Sequence, residues 1–342
     1  MRVEELLKGI KHVMPGVDQT QGNSEGADLI TFEDQWIRSY DGRLSISYPI
    51  VTGLDCSVPG KPLYDLLTKL GSGNVRMMMD DDGFHLKGAN KKLTLRVVER
   101  DLEHGIFDLG RVAFSPLPKD FADGVGLCAF SVATDLTLGA LTGMYIDGGM
   151  ILSSDNFRIS RYEMEGEVRG PVILPNECVG YVMGMEGISQ VAVDVPSWIH
   201  FKNEEGVVLS SRLVQGEYRV DGILKILGVE RTGSYTFPDG VAEAVARAKV
   251  MGHDEGSDAP VISIRREDDQ MVVVGKSRNV GEYEERLPWK EGYPESNRME
   301  MHPDFLVKVL KITRDFSTDR EGKFATFTGK NFEHLEITRV ES

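Results

Sequence analysis

The sequence predicts an α+β fold in which three similar domains follow one another, each with two helices packed on antiparallel strands. Two observations predict it. The chain has 342 residues, more than one ordinary hydrophobic core accommodates. The order helix, strands, helix, strands also occurs three times, and prolines mark equivalent points at intervals of 116 and 128 residues: Pro59, Pro175 and Pro303. This period is that of a domain rather than of a solenoid repeat. We therefore place the predicted domains at residues 1–113, 114–231 and 232–342.

The first helix of each domain precedes a strand-rich run. The predicted helices are VEELLKGIKHVM at 3–14, KDFADGVGLCAFSV at 119–132 and FPDGVAEAVARAKVM at 237–251. After the first of them, LITFEDQWIRSYDGRLSISYPI reads as strands separated by turns. Two helices against many antiparallel strands favour a layered domain with both helices on one face. Strands at the edges of such domains can continue a sheet into the next domain.

The second helix of each domain follows a strand that ends at a proline. In SVPGKPLYDLLTKLG, residues 57–71, four leucines lie on one helix face: Leu63, Leu66, Leu67 and Leu70. Related segments are ILPNECVGYVMGM at 173–185 and EMHPDFLVKVLKI at 300–312. Predicted strands follow each one, as in KFATFTGKNFEHLEITRVE, where alternation is interrupted by a GKN turn.

Charge and cysteine content limit the classes of protein to consider. The net charge of −15 argues against a generally basic nucleic-acid-binding surface. No stretch of about 18 apolar residues predicts a membrane span, and the charged N-terminal segment argues against a signal peptide. Cys56, Cys128 and Cys178 are odd in number and widely separated, which favours reduced thiols in the cytoplasm over a disulfide framework or a zinc site.

No motif in the sequence predicts catalysis, and we expect neither an enzyme nor a bound cofactor or metal. Asp80, Asp81 and Asp82 precede Gly83 in a pattern typical of a hairpin turn, and adjacent carboxylates in a strand point to opposite faces. The seven histidines lack HExxH or Cys/His spacing. P-loop and strand-linked GxGxxG motifs are also absent. An enzyme whose site is scattered across the sheets is the alternative.

The order of these segments resembles the bacterial DNA polymerase III β subunit, the sliding clamp, over essentially the whole chain. LTGMYIDGGMILSSDNFRISRYEM is similar to the clamp region with an ATDGHRLA-type sequence, with Ser154, Asp155 and Arg158 in register. LSSRLVQGEYRV resembles the SRLIDGRFPDY signature, and VPGKPLYDLL resembles VPAKKFFDIL. Two departures are that Arg219 follows Tyr218 where the family has proline, and that ITRVES replaces the C-terminal MPMRL. These changes suggest a divergent clamp, for example one encoded by a phage.

The resemblance implies a groove between the second and third domains that binds partner peptides. In the family, polymerases and the clamp loader insert a short linear motif with apolar anchors there. The implied groove residues are Leu141, Ser154, Asn156, Phe157, Arg158, Ile159, Ile223, Leu224, Phe305 and Ile337. Phe157 replaces the family histidine, which predicts a more apolar groove with a different motif preference. The alternative for Leu141, Ile159 and Phe305 is an ordinary place in the core.

The resemblance also implies that the helices line a channel for duplex DNA, which is bound without regard to sequence. The predicted helices at 4–13, 61–70, 119–132, 175–186, 238–251 and 302–314 contain ten basic and ten acidic residues, so the acidic excess of the chain lies elsewhere. The cations implied to face DNA are Lys8, Lys11, Lys61, Lys69, Arg247, Lys249, Lys308, Lys311 and Arg314. The alternative is that they belong to ordinary solvated helix faces.

Two chains would close head to tail into a ring. The resemblance implies that Phe114 and Leu117 on one side of this dimer interface meet Val250 and Met251 on the other. The predicted function is that of a DNA sliding clamp, or processivity factor: a homodimer that is loaded onto duplex DNA, encircles it and tethers a replicative DNA polymerase without performing chemistry. A clamp-fold scaffold in repair or transcription, or a decoy for clamp partners, is the alternative.

Overall fold

Helices and antiparallel strands alternate along the chain in a computed structural model, which describes residues 1–17, 26–33, 35–98, 109–194, 196–252, 260–290 and 298–338. The α-helices are α1 (Val3–Val13), α2 (Gly60–Leu70), α3 (Phe121–Ala129), α4 (Asn176–Gly184), α5 (Val220–Leu227), α6 (Val241–Ala248) and α7 (Pro303–Leu310). The strands of the first half are β1 (Leu29–Glu33), β2 (Trp36–Tyr40), β3 (Leu44–Pro49), β4 (Cys56–Pro59), β5 (Arg76–Asp80), β6 (Gly83–Lys87), β7 (Lys92–Leu95), β8 (Ser115–Pro116), β9 (Gly143–Ser154) and β10 (Arg158–Pro175). Those of the second half are β11 (Ile188–Asp194), β12 (Trp198–Asn203), β13 (Val208–Arg212), β14 (Arg231–Thr236), β15 (Ile262–Glu267), β16 (Gln270–Ser277), β17 (Gly281–Pro288), β18 (Arg298–Met301), β19 (Asp315–Asp319), β20 (Phe324–Gly329) and β21 (Phe332–Ile337).

The predicted α+β class is confirmed, and all six predicted helices form within a few residues of their expected ends. In α1, acidic residues occupy the first turn and basic residues the last, an order that the helix dipole favours. Its buried stripe of Val3, Leu6, Ile10 and Val13 has helical spacing. The helix predicted over 302–314 ends earlier, at Leu310.

Helix α5 was not predicted. Gly222 lies in its first turn and lowers its intrinsic helix propensity. Ile223 and Leu227, four residues apart, are nevertheless buried on one face. Tertiary packing of this short apolar stripe therefore stabilises a helix that the local sequence does not predict.

The chain divides into two compact units. The first comprises Met1–Ala122 with Gly166–Gln215, and the second Asp123–Glu165 with Gly216–Ser342. Each unit contains a sheet that joins strands from two neighbouring predicted domains, which explains why compactness alone does not separate three bodies. The boundaries at residues 113 and 231 remain a prediction.

The first unit has an eight-stranded sheet of order β4-β1-β2-β3-β13-β12-β11-β8 and a three-stranded sheet of order β5-β6-β7. The antiparallel pair β3–β13 joins the predicted first and second domains, with Ile46 opposite Leu209. Helix α1 packs on β2, β3 and α2, and α4 packs on β13. Two aromatic pairs, Phe32 with Phe84 and Phe121 with Phe201, lie in the core with centroids 5.4 Å apart in each pair.

The second unit has a six-stranded sheet of order β14-β19-β20-β21-β10-β9 and a four-stranded sheet of order β17-β16-β15-β18. The pair β21–β10 joins the predicted second and third domains. Helix α6 packs against α7, β16 and β17. The core of the second unit contains stacked aromatic rings, with the centroids of Phe237 and Phe316 4.2 Å apart.

Candidate partner groove and DNA-facing helices

The turn between β9 and β10 presents Phe157 to solvent. The Asp155 carboxylate accepts hydrogen bonds from the backbone N–H groups of Phe157 and Arg158, both at 3.1 Å. Asn156 lies at φ 73°, in the left-handed region that asparagine tolerates better than most residues. The Phe157 side chain is 60% exposed as a result of this geometry.

Arg158 links this turn to helix α7. Its Nε donates to Asp155 Oδ2 at 2.8 Å, and its guanidinium carbon lies 3.4 Å from the centroid of the Phe305 ring. Phe130 offers a second ring at 5.6 Å. Phe305 in turn stacks on His302, with centroids 4.0 Å apart. Arg158 is thus buried between aromatic rings and a carboxylate, an arrangement that suits a guanidinium better than an ammonium group.

The end of β21 lies beside the turn. The backbone N–H of Ile337 donates to the Phe157 carbonyl at 2.9 Å, and the Ile337 side chain is 41% exposed. Phe157 and Ile337 therefore place two exposed apolar side chains on adjacent backbone segments. Within the implied groove set, Ser154, Arg158, Ile159 and Ile223 are buried, whereas Leu141, Leu224 and Phe305 are half-buried.

The segment before α5 approaches the same region from another side. The Tyr218 hydroxyl donates to the Leu152 carbonyl at 3.4 Å, and its ring lies 5.4 Å from that of Tyr145. A Cβ on Gly216 would lie 3.4 Å from that of Ala140, so this backbone is close to the short helical segment that carries Leu141. Direct contacts thus join Phe157, Arg158, Phe305 and Ile337. Leu141 adjoins Ala140, the neighbour of Gly216, and Ile223 and Leu224 lie on α5, shortly after Tyr218.

A buried polar layer underlies the turn and was missed by the sequence reasoning. Glu336 is 1% exposed and lies directly opposite Arg158 in the β10–β21 pair. Its Oε1 accepts the backbone N–H of His302 at 3.3 Å, and burial raises the pKa of its carboxyl group to about 8. His334 bonds Ser160 Oγ at 2.9 Å, and burial lowers the pKa of its ring to about 3. Both faces of β21 are buried. The alternation of polar and apolar residues in this strand therefore does not reveal that its polar side chains are buried, because the same pattern is expected of a strand with one face in solvent.

Several of the implied DNA-facing cations are already paired with carboxylates. Lys8 lies 2.8 Å from Glu205, Lys61 2.6 Å from Asp65 and Lys249 2.5 Å from Asp304. Arg247 pairs with Glu285 at 2.7 Å, and Arg314 pairs with Asp239. Lys11, Lys69, Lys308 and Lys311 form no ion pair with any residue that the structure describes. Five of the nine implied cations are therefore paired with a carboxylate, and the other four are not paired within the described part of the chain.

A cleft of about 760 Å³ separates α1 from α4 in the first unit. Lys8, Lys11 and His12 line one wall, Tyr181 and Met185 the other, and Ile46 and Leu209 the floor. The Tyr181 hydroxyl crosses to the carbonyl of Pro15 at 3.2 Å. Two of the implied DNA-facing lysines thus stand at the edge of a concave surface.

The implied dimer residues differ in how much surface they offer. Val250, just beyond α6, is 72% exposed, and Met251 and Phe114 are half-buried. Leu117 is only 8% exposed and its backbone N–H bonds the carbonyl of Ser189, so it offers little surface in the single chain.

Two strands at sheet edges carry or adjoin several charged residues. They are β7, which begins at Lys92 and follows Lys91, and β17, which carries Glu282, Glu284 and Glu285. A cavity of about 270 Å³ next to β7 is lined by Leu66, Leu70, Leu86 and Leu93. A sheet edge beside an apolar cavity is a common place for another chain to pair.

The described part of the chain contains no group of three or more His, Cys, Asp or Glu side chains that could hold a metal ion. Asp80 instead accepts from the His85 ring at 2.6 Å beside the β5–β6 turn. No helix among the described residues has the length and apolar character needed to cross a membrane.

The chain is similar to known proteins in structure and not detectably in sequence. No family model and no curated protein sequence matches the chain. The β subunit of polymerase III from Caulobacter crescentus superimposes with a TM-score of 0.82 at 15% identity, covering 100% of this chain and 99% of that one. A sliding clamp from Bartonella birtlesii bound to griselimycin gives 0.82 at 17% identity, covering 100% of both chains. The Pseudomonas aeruginosa β subunit gives 0.82 at 15% identity, covering 100% and 99%. The resemblance inferred from the sequence is therefore confirmed at the level of structure: this chain has the fold of the bacterial DNA polymerase III β subunit, the sliding clamp.

Proposed function

We propose that the chain is a DNA sliding clamp that encircles duplex DNA as a homodimer and tethers a DNA polymerase through the groove around Phe157. The observation that carries the proposal is the likeness to sliding clamps over the whole length of both chains. A polymerase held by a clamp stays at high effective concentration near the primer end, so a weak peptide contact suffices. We propose no catalytic role, cofactor or metal for the chain.

The groove would bind a short linear motif through apolar anchors. Phe157 and Ile337 are exposed and adjacent, and the half-buried Phe305 is held in place by Arg158 and His302. A small apolar cluster supported by rigid neighbours is typical of interaction hot spots. Polymerase and clamp loader would compete for this cluster, as the resemblance implies.

DNA would be held by topology more than by affinity. Lys11, Lys69, Lys308 and Lys311 can contact phosphates directly, whereas the other cations must first leave their carboxylates. Such contacts carry no base specificity. They would let the ring slide, because each phosphate contact is exchanged for an equivalent one along the duplex.

For the dimer, we propose that β7 of one copy pairs with β17 of a second copy. Lys91, Lys92 and Arg96 give the first edge positive charge. The glutamates of β17 pair with cations of their own unit, so ion pairs across the interface would require an exchange of these partners. Val250, exposed in the single chain, would enter the apolar cavity beside β7 of the partner copy. Met251 and Phe114 remain candidates for the rim of this interface.

A topological assay tests the function. The protein is loaded onto a nicked circular plasmid with a bacterial clamp loader and ATP, and bound protein is separated by gel filtration before and after the plasmid is linearised. We expect retention on the circle and release from the linear form at about 150 mM salt, where electrostatic contacts alone are weak. Equal binding to both forms would contradict encirclement. Absence of binding to either, from protein that is a dimer in solution, would favour a scaffold or decoy.

Mutation of Val250 tests the interface separately. We expect Val250→Glu to convert a species of about twice 38.0 kDa to a monomer in light-scattering chromatography, because a buried unpaired charge is strongly unfavourable. Val51→Glu is the matched control, since Val51 is equally exposed, at 72%, on the loop after β3. A Val250→Glu protein that stays dimeric would remove this residue from the interface.

A further inference from the structure

Three buried polar atoms under the β9–β10 turn have no hydrogen-bond partner among the described residues. They are Arg158 Nη1, His334 Nε2 and Glu336 Oε2. The two strands place them together, because Glu336 lies opposite Arg158 and His334 lies opposite Ser160. Buried polar atoms normally have hydrogen-bond partners, so an unpaired group next to a proposed binding surface requires an explanation.

A continuous series of contacts runs from Glu336 to the exposed turn. Glu336 accepts the backbone N–H of His302, which precedes α7. The His302 ring stacks on Phe305, and the Phe305 ring covers the Arg158 guanidinium. Arg158 donates to Asp155, whose carboxylate fixes the backbone that presents Phe157. A change at Glu336 therefore reaches the groove within a few direct contacts.

Each element packed around Glu336 contributes an identifiable group. Arg158 faces it from β10 and favours its charged form, whereas Asp155 in the turn opposes it. His302 offers its backbone N–H, and His334 lies two residues away on β21. Burial lowers the pKa of both histidine rings, so both are neutral at pH 7, and the facing residue of β20 is the apolar Ala325. Because burial raises the pKa of Glu336 to about 8, its carboxyl group is mostly protonated at pH 7.

We propose that Glu336 is a positioning residue of the groove: its uncharged carboxyl group leaves Arg158 to Asp155 and Phe305, and its ionisation draws Arg158 away and weakens peptide binding. The unpaired Nη1 of Arg158 is available for this exchange. When Glu336 loses its proton, two carboxylates compete for one guanidinium, and the Phe305 ring loses the cation beneath it. The effect on binding rests on the proposed function of the groove, whereas the movement of Arg158 does not.

The first experiment follows Arg158 in the free protein. The protein is labelled with ¹⁵N-arginine, and the Nε–H resonance of Arg158 is identified by its absence from the Arg158→Lys variant. This resonance is then recorded between pH 6.5 and 9.5. We expect it to shift with a midpoint near pH 8 in the natural sequence and to stay constant in Glu336→Gln. A resonance in the natural sequence that does not titrate in this range overturns the proposal, whatever the folding of the variant.

The second experiment measures binding, with griselimycin as the probe because a sliding clamp of the same fold binds it. Calorimetric titration at pH 7 and pH 9 compares the natural sequence with Glu336→Gln. We expect about fivefold weaker binding at pH 9 than at pH 7 in the natural sequence, the change that corresponds to a pKa one unit higher in the bound than in the free protein. The Glu336→Gln protein should bind with the same affinity at both pH values.

Glu333→Gln is the matched control, because Glu333 is also buried on β21 but pairs with Arg161 and Arg231 instead of facing Arg158. It should retain the pH dependence of the natural sequence. Equal pH dependence in Glu336→Gln would overturn the role of Glu336 in binding. If griselimycin binds at neither pH, the proposed groove fails, and the arginine titration still decides whether Glu336 controls Arg158.

Discussion

Asn156 shows how a single residue shapes the candidate groove. Its φ of 73° turns the chain sharply enough for Asp155 to accept two backbone N–H groups. Residues with a Cβ pay about 1–2 kcal/mol for this conformation, and asparagine less than most. The turn is therefore stable only with a narrow choice of residues at this position.

We expect Asn156→Ala to lower the free energy of unfolding by about 1 kcal/mol, and Asn156→Gly to change it by less than about 0.5 kcal/mol. Urea unfolding followed by circular dichroism measures both. Asn90→Ala, at an exposed loop position outside the left-handed region, is the control and should be nearly neutral. Equal losses for the alanine variants at 156 and 90 would show that backbone conformation does not matter here.

The buried His200 makes the stability of the first unit depend on pH in the acid range. It is fully buried on β12, bonds Ser210 Oγ at 2.7 Å, and its pKa is lowered from 6.5 to about 4 by burial. A lowered folded-state pKa means that stability is fully present above pH 6.5 and is lost as the pH falls through 4. The loss amounts to about 3 kcal/mol by proton linkage.

Replacement of the imidazole should therefore flatten the acid side of the stability profile. We expect His200→Asn to be less stable than the natural sequence at pH 7.5, because it packs less well, but to lose less stability between pH 6.5 and 4.5. Chemical unfolding at several pH values measures the two slopes. Parallel profiles would mean that His200 does not remain neutral in the folded protein.

The residues that determine the groove were only partly accessible to sequence reasoning. Phe157, Arg158 and Phe305 stand in segments that resemble a known family, and the structure brings them into contact. Glu336 carries no such signal, because a glutamate in a strand normally indicates a solvent-facing side chain. Its burial depends on the strand pairing β10–β21, which joins residues far apart in sequence.

At the scale of elements, the packing of α6 on β16 depends on one glycine. A Cβ on Gly275 would lie 1.8 Å from the carbonyl oxygen of Ala248, so the end of the helix approaches the strand backbone directly. The repeated helix-and-strand pattern predicts both elements but not this distance. Periodicity reports which face of an element is buried, whereas the closeness of two backbones depends on what faces them.

We expect Gly275→Ala to destabilise the second unit by about 3 kcal/mol or more, because relief of the clash requires movement of backbone and not of a flexible side chain. Gly180→Ala in α4 is the matched control. Its Cβ would meet no atom within 4 Å, and alanine should stabilise the helix by about 0.5–1 kcal/mol. Thermal unfolding should thus show opposite signs for the same substitution, and two shifts of the same sign would contradict the packing.

At the scale of the whole molecule, a net charge of −15 must be reconciled with the proposed DNA partner. The ion pairs of the helix lysines offer an explanation: carboxylates such as Glu205 neutralise individual lysines, so the proposed clamp would keep cations near a duplex without a strong general attraction. Acidic surface elsewhere disfavours DNA binding to the outside. Weak, screened contacts would suit a sliding clamp, and the proposal predicts that single carboxylates limit DNA affinity.

We expect Glu205→Gln to strengthen binding to a short linear duplex several-fold at about 50 mM salt, because it frees Lys8 and removes a carboxylate near His12. The slope of log affinity against log salt should steepen by about one, the effect of one added phosphate contact. Fluorescence anisotropy with a labelled duplex measures both quantities. Glu204→Gln is the matched control, since it makes the same change in net charge at the neighbouring exposed residue and leaves the Lys8 pair intact. Equal effects of the two variants would mean that total charge governs DNA binding and that the pairing of individual lysines does not.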